Sequence, residues 1–191
     1  MSTPFKQLFC FGLGFSGQAL ARLALTNGWT VCGTVRTEEK AQRLRAQGIN
    51  AFAFDASTAP ALSGEVISAL HQSTHILQSI GTAKSGNDPL LPLIQPLAPA
   101  LQPQWAGYLS TTVVYGDWQG ALVDESAPAR STSTRGLSRL SAEAAWAALG
   151  WPLHVFRLAG IYGPGRNALE TVRGGRARII DKPEQVFSRI H

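Results

Sequence analysis

Short apolar runs alternate with segments of helical periodicity along most of this chain. Strands are predicted at residues 5–11, 30–35, 50–54, 75–80, 105–110 and 153–158. Helices are predicted between them, at residues 18–26, 38–46, within 61–72, and from 137 to 148. Strands that alternate with helices are typical of βαβ units. The pattern therefore predicts an α/β protein with a doubly wound parallel sheet, that is, a Rossmann fold.

The predicted helices are amphipathic and their starts carry capping signals. In the first helix, Leu20, Ala21, Leu23 and Ala24 are predicted to form the apolar stripe that faces the sheet. Thr37 is placed to cap the second helix. The apolar positions that mark the last predicted helix are Leu137, Leu140, Ala144 and Ala148.

A glycine-rich turn joins the first predicted strand to the first predicted helix. Gly12, Gly14 and Gly17 form a G-x-G-x-x-G pattern that also contains Phe15 and Ser16. In this context the first glycine permits a tight turn, the second leaves room for a pyrophosphate, and the third lets the helix pack closely on the strand. The helix N-terminus adds amide donors and a positive dipole. These five residues are therefore predicted to bind a dinucleotide cofactor.

The end of the second predicted strand indicates which dinucleotide is bound. NAD-specific domains carry an acid about 20 residues after the glycines, which holds the ribose 2′-hydroxyl. Here Arg36 and Thr37 stand at that position and the first acid is Glu38. An arginine suits a 2′-phosphate, so NADP is predicted in preference to NAD. Asp55, after the third strand, is predicted either to accept from the adenine amino group or to act as a turn residue.

Composition narrows the class of protein. The formal charge is +5, but the cations are spread along the chain and the densest group is only Arg173, Arg176 and Arg178, so no nucleic-acid partner is expected. The sequence contains no apolar run of eighteen residues, so no membrane span is expected. Cys10 and Cys32 fall inside predicted strands and show no metal-ligand spacing. We therefore expect a cytoplasmic protein without a metal site.

Two further segments carry a family resemblance. Residues 109–116 read LSTTVVYG and residues 157–165 read RLAGIYGPG. Together with the glycine-rich turn, they resemble the extended short-chain dehydrogenases/reductases, the NAD(P)-dependent epimerase/dehydratase family. The resemblance implies an oxidoreductase or epimerase/dehydratase-like protein that acts on a small hydroxyl or carbonyl substrate, for which a nucleotide sugar is one possibility. The rival interpretation is a catalytically silent NAD(P)-binding sensor or assembly module.

The resemblance also implies a Ser/Thr, Tyr and Lys set that transfers a proton. Thr111 matches the Ser/Thr position, whereas Arg135 and Arg139 stand where Tyr and Lys are expected. Arginine is always protonated and cannot act as the acid or base. Tyr115 and Tyr162, beside strand ends, are the remaining candidates near the site, although a structural role is favoured for both. The sequence thus predicts a non-standard active site.

Arg135 and Arg139 lie four residues apart on a predicted helix, and so project from one face. Glu143 is expected to neutralise Arg139. One interpretation is a solvated basic face with a weak ion pair. The other is that the two arginines bind an anionic group of the substrate or cofactor.

The last residues resemble the start of a family segment that opens the substrate-binding part. That segment is Gln185 to His191. The resemblance implies a dinucleotide-binding domain over residues 1–160 and the start of a substrate-binding part over 161–191, with most of the substrate lobe missing. An apolar surface exposed by the missing lobe is expected to favour a homo-oligomer.

Overall fold

Six parallel strands form the central sheet of this computed structural model, which describes residues 5–83, 85–179, 181 and 186–191. The strands are β1 (Gln7–Phe11), β2 (Thr30–Val35), β3 (Asn50–Ala53), β4 (His75–Gln78), β5 (Trp105–Thr111) and β6 (Leu153–Leu158). Their order is β3-β2-β1-β4-β5-β6, and every neighbouring pair is parallel. The predicted doubly wound parallel sheet is therefore confirmed.

Helices connect the strands. They are α1 (Phe15–Thr26), α2 (Glu38–Arg45), α3 (Gly64–His71), α4 (Leu91–Ile94), α5 (Thr134–Ala147) and α6 (Ala168–Arg173). The Thr37 side chain accepts a hydrogen bond from the Lys40 amide, which confirms the predicted cap of α2. After β6 come two short strands, β7 (Gly160–Ile161) and β8 (Arg189–Ile190), which pair with each other. Gln185, in the segment that resembles the family's substrate part, lies outside the described residues.

The inner strands of the sheet are buried on both faces, as in parallel sheets generally, whereas the edge strands β3 and β6 are partly exposed. Successive residues of β1 point to opposite sides: Phe9 and Phe11 belong to one core cluster, and Leu8 and Cys10 to the other. All four side chains are buried. β1 therefore lies between the two core clusters, and this packing holds the turn that follows it in position.

Two of the predicted helix faces are wrong in part. Leu23 of α1 is 60% exposed, while Ala21 and Ala24 are buried as predicted. On α5, Leu137 is 53% exposed, and Trp146 is buried instead. The other buried positions of α5 are Gly136, Ala142 and Glu143, whereas Ala144 and Ala148 are exposed.

Packing and a buried ion pair explain the rotation of α5. The Trp146 ring packs against the Tyr108 ring of β5, with centroids 6.0 Å apart. Glu143 is paired with Arg157 of β6 on the same face. The buried Trp146 ring and the paired Glu143 carboxylate thus determine which face of α5 turns toward the sheet. The positions of the leucines alone did not predict this face.

The strand order reverses between β1 and β4. The chain leaves β1 toward β2 and β3 on one side, and returns through β4 to β5 and β6 on the other. In open α/β sheets, ligands bind in the crevice beyond the carboxyl ends of the strands at such a reversal. The glycine-rich turn stands at this crevice.

Candidate functional site

The turn after β1 requires glycine at two positions for the fold itself. Gly12 has φ of +84°, and a Cβ there would lie 3.0 Å from Cγ1 of Ile80. A Cβ on Gly17 would lie 2.6 Å from the Gly12 carbonyl oxygen and 2.9 Å from Sγ of Cys10. The Gly12 amide donates to the Thr34 hydroxyl at 3.0 Å. The turn is therefore packed tightly between β1, β2 and the loop after β4.

Gly14 differs from its two neighbours in the pattern. Its backbone is extended, with φ of −81° and ψ of −156°. The nearest atom to a Cβ built there, the Gly12 carbonyl oxygen, is 3.9 Å away. The fold alone would accept a side chain at this position. The missing side chain leaves space over the N-terminus of α1, where a pyrophosphate is held by backbone amides in dinucleotide-binding folds.

A cavity of about 390 Å³ opens on the β2 and β3 side of this turn. Arg36, Lys40 and Asp55 are its charged lining residues among those described. The remaining walls come from the glycine-rich turn, the end of β2, the segment 54–57 after β3, the loop 79–83 and Pro89. Arg36 and Lys40 thus place two cations at the edge of this cavity.

Asp55 and Thr37, both predicted to bind the cofactor, are placed differently. Asp55 lines the cavity, but its carboxylate accepts from the Ser57 hydroxyl at 2.6 Å and from the Ser57 amide at 3.0 Å. These bonds, and to a lesser degree the charge of Arg36, lower the pKa of Asp55. The Thr37 hydroxyl caps α2, and Thr37 lines neither this cavity nor the second cavity of the crevice, which is described next. Thr37 therefore contributes through the position of α2.

A second cavity, of about 430 Å³, adjoins the first and shares Gly14, Ser79 and Gly81 with it. Of the residues predicted for the site, this cavity collects Phe15, Ser16, Thr111, Arg135 and Arg139. A dinucleotide lying across the strand-order reversal has its two halves on either side of β1 and β4. The two cavities are arranged in that way.

Arg139 is anchored at the floor of the second cavity. Its Nη1 atom donates to the Tyr108 hydroxyl at 2.8 Å and to the Leu109 carbonyl at 3.5 Å. Its Nη2 atom would lie 3.3 Å from a Cβ on Gly81. Tyr108 is fully buried, and burial raises the pKa of its hydroxyl, partly opposed by the charge and hydrogen bond of Arg139. Tyr108 is thus a neutral anchor for Arg139 that lies beneath the cavity floor.

The predicted ion pair between Arg139 and Glu143 is not formed. Glu143 instead accepts from Arg157 at 2.9 Å and from the Ser110 hydroxyl. The hydrogen bond that Arg157 donates to Glu143 is the main cause that raises the pKa of Arg157 above its usual range. Glu143 lies one turn from Arg139 but points toward β6, because α5 turns a different face to the sheet than its leucines indicated.

Thr111 lines the second cavity while Tyr115 does not. The Thr111 hydroxyl accepts from the Val113 amide at 3.3 Å and remains free to donate. Tyr115 is buried beneath Arg157, whose guanidinium carbon lies 4.9 Å from the ring centroid. Tyr115 lines a different cavity, on the outer side of β6. Thr111 is therefore placed to meet a ligand that also contacts the glycine-rich turn, and Tyr115 is not.

Tyr162 also lies apart from the predicted constellation. Its ring stands edge-on to the His191 ring, with centroids 5.2 Å apart, and the side chain is exposed. It lines neither cavity of the crevice, whereas Ile161 and Arg166, on either side of it in sequence, both line the second. The segment 161–166 thus reaches the second cavity, but the Tyr162 side chain does not line it.

Sequence reasoning missed three parts of the crevice: Lys40, the loop Ser79 to Gly81, and Arg166. Lys40 could have been found from its position three residues past the Thr37 cap, which turns it toward Arg36. The loop after β4 becomes part of the site only because β4 pairs with β1. That pairing follows from the strand-order reversal of doubly wound sheets.

Cys10 lies directly behind the glycine-rich turn. Burial raises the pKa of its thiol to about 12, and the Cys32 thiol is also buried with a raised pKa. Neither thiol is a nucleophile at neutral pH. Within the described part of the chain, no group of three or more His, Cys, Asp or Glu side chains could hold a metal ion. In that same part, no helix combines the length and apolar character needed to cross a membrane.

Comparison with known proteins agrees with this geometry. Residues 7–92 match the NAD binding domain of 6-phosphogluconate dehydrogenase. The chain is 28% identical over 168 residues to protein YeeZ of Escherichia coli K12, covering 85% of this chain and 61% of YeeZ. The chain thus spans about three fifths of that curated relative.

Solved structures share the fold. A conserved protein of unknown function from Silicibacter pomeroyi is 42% identical, with a TM-score of 0.82, over 97% of this chain and 64% of that one. The UDP-glucuronic acid 4-epimerase of Bacillus cereus, solved with NAD, is 18% identical with a TM-score of 0.66. That match covers 82% of this chain and 57% of the epimerase, and at this identity it shows the fold.

Proposed function

Starting from an NAD-binding Rossmann domain that resembles those of the extended short-chain dehydrogenases/reductases, we propose that this chain binds NADP and belongs to an oxidoreductase or epimerase/dehydratase-like protein. The observation that carries the proposal is Gly14, where the fold leaves room for a side chain and the sequence has none. The open space faces the N-terminus of α1, the standard place for a pyrophosphate. Residues 1–160 would form the cofactor domain and residues 161–191 the start of the substrate part.

The residues present fit a dinucleotide across the crevice. The glycine-rich turn and α1 would hold the pyrophosphate, and Arg36 with Lys40 would hold the 2′-phosphate. Asp55 would border the adenosine half. When bound, the nicotinamide supplies hydride transfer, and the protein supplies position and charge around it.

On the second cavity's side, Thr111 would donate its hydroxyl to a substrate oxygen. Arg135 and Arg139 occupy the places of the usual Tyr and Lys, so they would bind and orient the substrate without moving a proton. A small hydroxyl or carbonyl compound fits these donors, and a nucleotide sugar is supported by solved neighbours such as the UDP-glucuronic acid 4-epimerase and MoeE5, which is solved with UDP-glucose. The two buried unpaired cysteines are in keeping with the reducing cytoplasm as the location.

A catalytically silent NADP-binding module is the second candidate. It is favoured by the same two arginines and by Tyr115, which Arg157 covers. Both candidates share the cofactor site and differ in turnover. Reduction of a panel of carbonyl substrates with NADPH, using the full chain, separates them.

The cofactor proposal is tested by Gly14→Val. A valine there would keep the fold, because, apart from its neighbours in the chain, the Gly12 oxygen at 3.9 Å is the nearest described atom to the new Cβ. It would fill the space for the pyrophosphate and weaken NADPH binding at least 100-fold, measured by fluorescence titration. Gly64→Val is the matched control: it lies at the start of α3, outside the crevice, with open space around its Cβ.

Two results would contradict the proposal. One is unchanged NADPH affinity in a folded Gly14→Val protein, with melting temperature near that of Gly64→Val. The other is the absence of NADPH and NADH binding by the unchanged chain.

A further inference from the structure

The second cavity of the crevice has an unbalanced positive charge. Arg135, Arg139 and Arg166 line it, and none of its described lining residues is acidic. No carboxylate of the described residues lies within ion-pair distance of these three guanidinium groups. The nearest acid along α5, Glu143, is committed to Arg157. The charge is therefore available to a ligand.

Arg139 is held as a preorganised donor. A 2.8 Å bond from Nη1 to the Tyr108 hydroxyl, with a longer contact of 3.5 Å to the Leu109 carbonyl, anchors one end of the guanidinium. Neither partner is an anion, and among the described residues Nη2 and Nε have no hydrogen-bond acceptor, so the positive charge is not compensated there. A guanidinium fixed in this manner loses little conformational entropy when it binds an oxyanion.

Arg166 reaches the same cavity from a different part of the chain, the segment after β7. Its guanidinium carbon lies 5.5 Å from the centroid of the Phe15 ring. Its backbone is held by reciprocal hydrogen bonds with Gly163, at 2.8 and 2.9 Å. Arg135 lies one helical turn before Arg139 and is exposed. Cations from two separate segments thus line this cavity.

The position of this charge separates it from the cofactor's pyrophosphate. The pyrophosphate site is at the glycine-rich turn after β1, whereas Arg139 is anchored on β5. β4 lies between these two strands, and the Nη2 atom of Arg139 reaches the loop after β4, 3.3 Å from a Cβ built on Gly81. Thr111, at the end of β5, lines the same cavity, so this charge faces a ligand on the β5 side of the glycine-rich turn.

We propose that Arg135, Arg139 and Arg166 bind a carboxylate or phosphate group of the substrate beside the Thr111 hydroxyl while the cofactor is in place. This inference rests on the proposed function, because it takes the second cavity as the substrate side. The substrate is then an anionic hydroxyl or carbonyl compound. The arginines replace a proton-transfer pair with an anchoring pair.

The test uses calorimetric titration of inorganic phosphate and of malonate into the chain, with NADPH at saturation and chloride at equal ionic strength as the reference. At least one anion is expected to bind without displacing NADPH. Arg135→Ala and Arg139→Lys are each expected to weaken that anion at least fivefold and to change NADPH affinity less than twofold. Arg135 is exposed, so its variant keeps the fold, and Arg139→Lys keeps a charge while losing the fork.

Arg43→Ala is the matched control. Arg43 is an exposed arginine on α2 that pairs with Glu39, and it lines neither cavity. Its removal is expected to leave anion binding unchanged. If phosphate binds more tightly than malonate, the substrate group is a phosphate, and the reverse order assigns a carboxylate.

Three outcomes overturn the inference: anions that compete with NADPH, losses as large in Arg43→Ala as in the two site variants, or no anion binding at all. These outcomes leave the proposed function standing as long as NADPH binds. Failure of the unchanged chain to bind NADPH defeats the proposed function, and anion binding is then measured without cofactor.

Discussion

Single side chains at the end of β2 set the cofactor preference in this proposal. Arg36 is exposed at the edge of the first cavity and Lys40 lies beside it. No acid of the NAD-specific kind precedes them. Two cations line the cavity, and its one acid, Asp55, comes after β3 and not at the end of β2, where NAD-specific domains carry theirs, which favours a ligand that brings its own negative charge.

Arg36→Ala is therefore expected to weaken NADPH binding about tenfold or more and to leave NADH binding within a factor of two. A charge-assisted hydrogen bond is worth about 1.5–3 kcal/mol, and each 1.4 kcal/mol is a factor of ten in affinity. Fluorescence titration of both cofactors measures the two constants. Arg43→Ala is the control, because Arg43 lies on α2, the helix that follows Arg36, and does not line the cavity.

Equal affinities of the unchanged chain for NADPH and NADH would contradict the assignment. So would a parallel loss of both cofactors in Arg36→Ala, because the arginine would then act on a part that the two cofactors share. Lys40→Ala is expected to act in the same direction as Arg36→Ala: it should weaken NADPH binding and leave NADH binding nearly unchanged.

Sequence was a good guide at this scale where a residue's role is local. The Thr37 cap is confirmed, and Gly12, Gly14 and Arg36 line the first cavity; all of these depend on neighbours a few positions away. Roles that depend on distant partners were missed. Tyr108 as the anchor of Arg139, separated by 31 positions in sequence, has no local signal.

At the scale of elements, α5 is joined to the sheet by a buried ion pair. Arg157 of β6 makes a two-pronged contact with Glu143, and Ser110 of β5 donates to the same carboxylate. The Glu143 side chain is 9% exposed and the Arg157 side chain 23%. One carboxylate thus fastens a helix to two strands next to the second cavity.

Glu143→Ala is expected to lower the free energy of unfolding by about 3–5 kcal/mol, because it leaves Arg157 partly buried without a counter-charge. Urea denaturation followed by far-UV circular dichroism measures the loss. Glu170→Ala is the control, since its pair with Arg173 is largely exposed and such pairs contribute about 0–1 kcal/mol. Similar losses in the two variants would show that the Glu143 pair is solvated and does not hold α5.

The positions of the elements were predicted well, while the face that α5 turns to the sheet was not. The bounds of β2 and β6 agree with the apolar runs that predicted them. In α5, apolar residues occur on more than one side, and the inward side is decided by Trp146 and Glu143. A carboxylate is ordinarily read as exposed, so only knowledge of its partner on β6 would have corrected the periodicity.

For the whole molecule, strand order explains why residues far apart in sequence meet. The reversal at β1 and β4 places the loop Ser79 to Gly81 between the two cavities of the crevice. The doubly wound class was predictable from the alternation of strands and helices. Which strands are neighbours could not be predicted from any single segment, because the pairing of β1 with β4 is a property of the complete sheet.

The other edge of the sheet carries the last prediction, self-association of this 191-residue chain. Within the described residues β6 pairs on one side only, with β5. Val155 and Phe156 on this strand are 38% and 40% exposed. An exposed strand edge with apolar side chains is a template for pairing with another chain.

Sedimentation velocity over a range of concentrations is expected to show a reversible dimer. Val155→Lys is expected to weaken it at least tenfold, because an edge lysine places a charge where a second strand would pair. Leu23→Lys is the control: Leu23 is an exposed leucine on α1, away from this edge, so its replacement removes apolar surface without touching β6. Either a monomer at the highest concentration or equal weakening by the two lysine variants would contradict the β6 edge as the interface. The crevice with its three arginines would then function within a single chain.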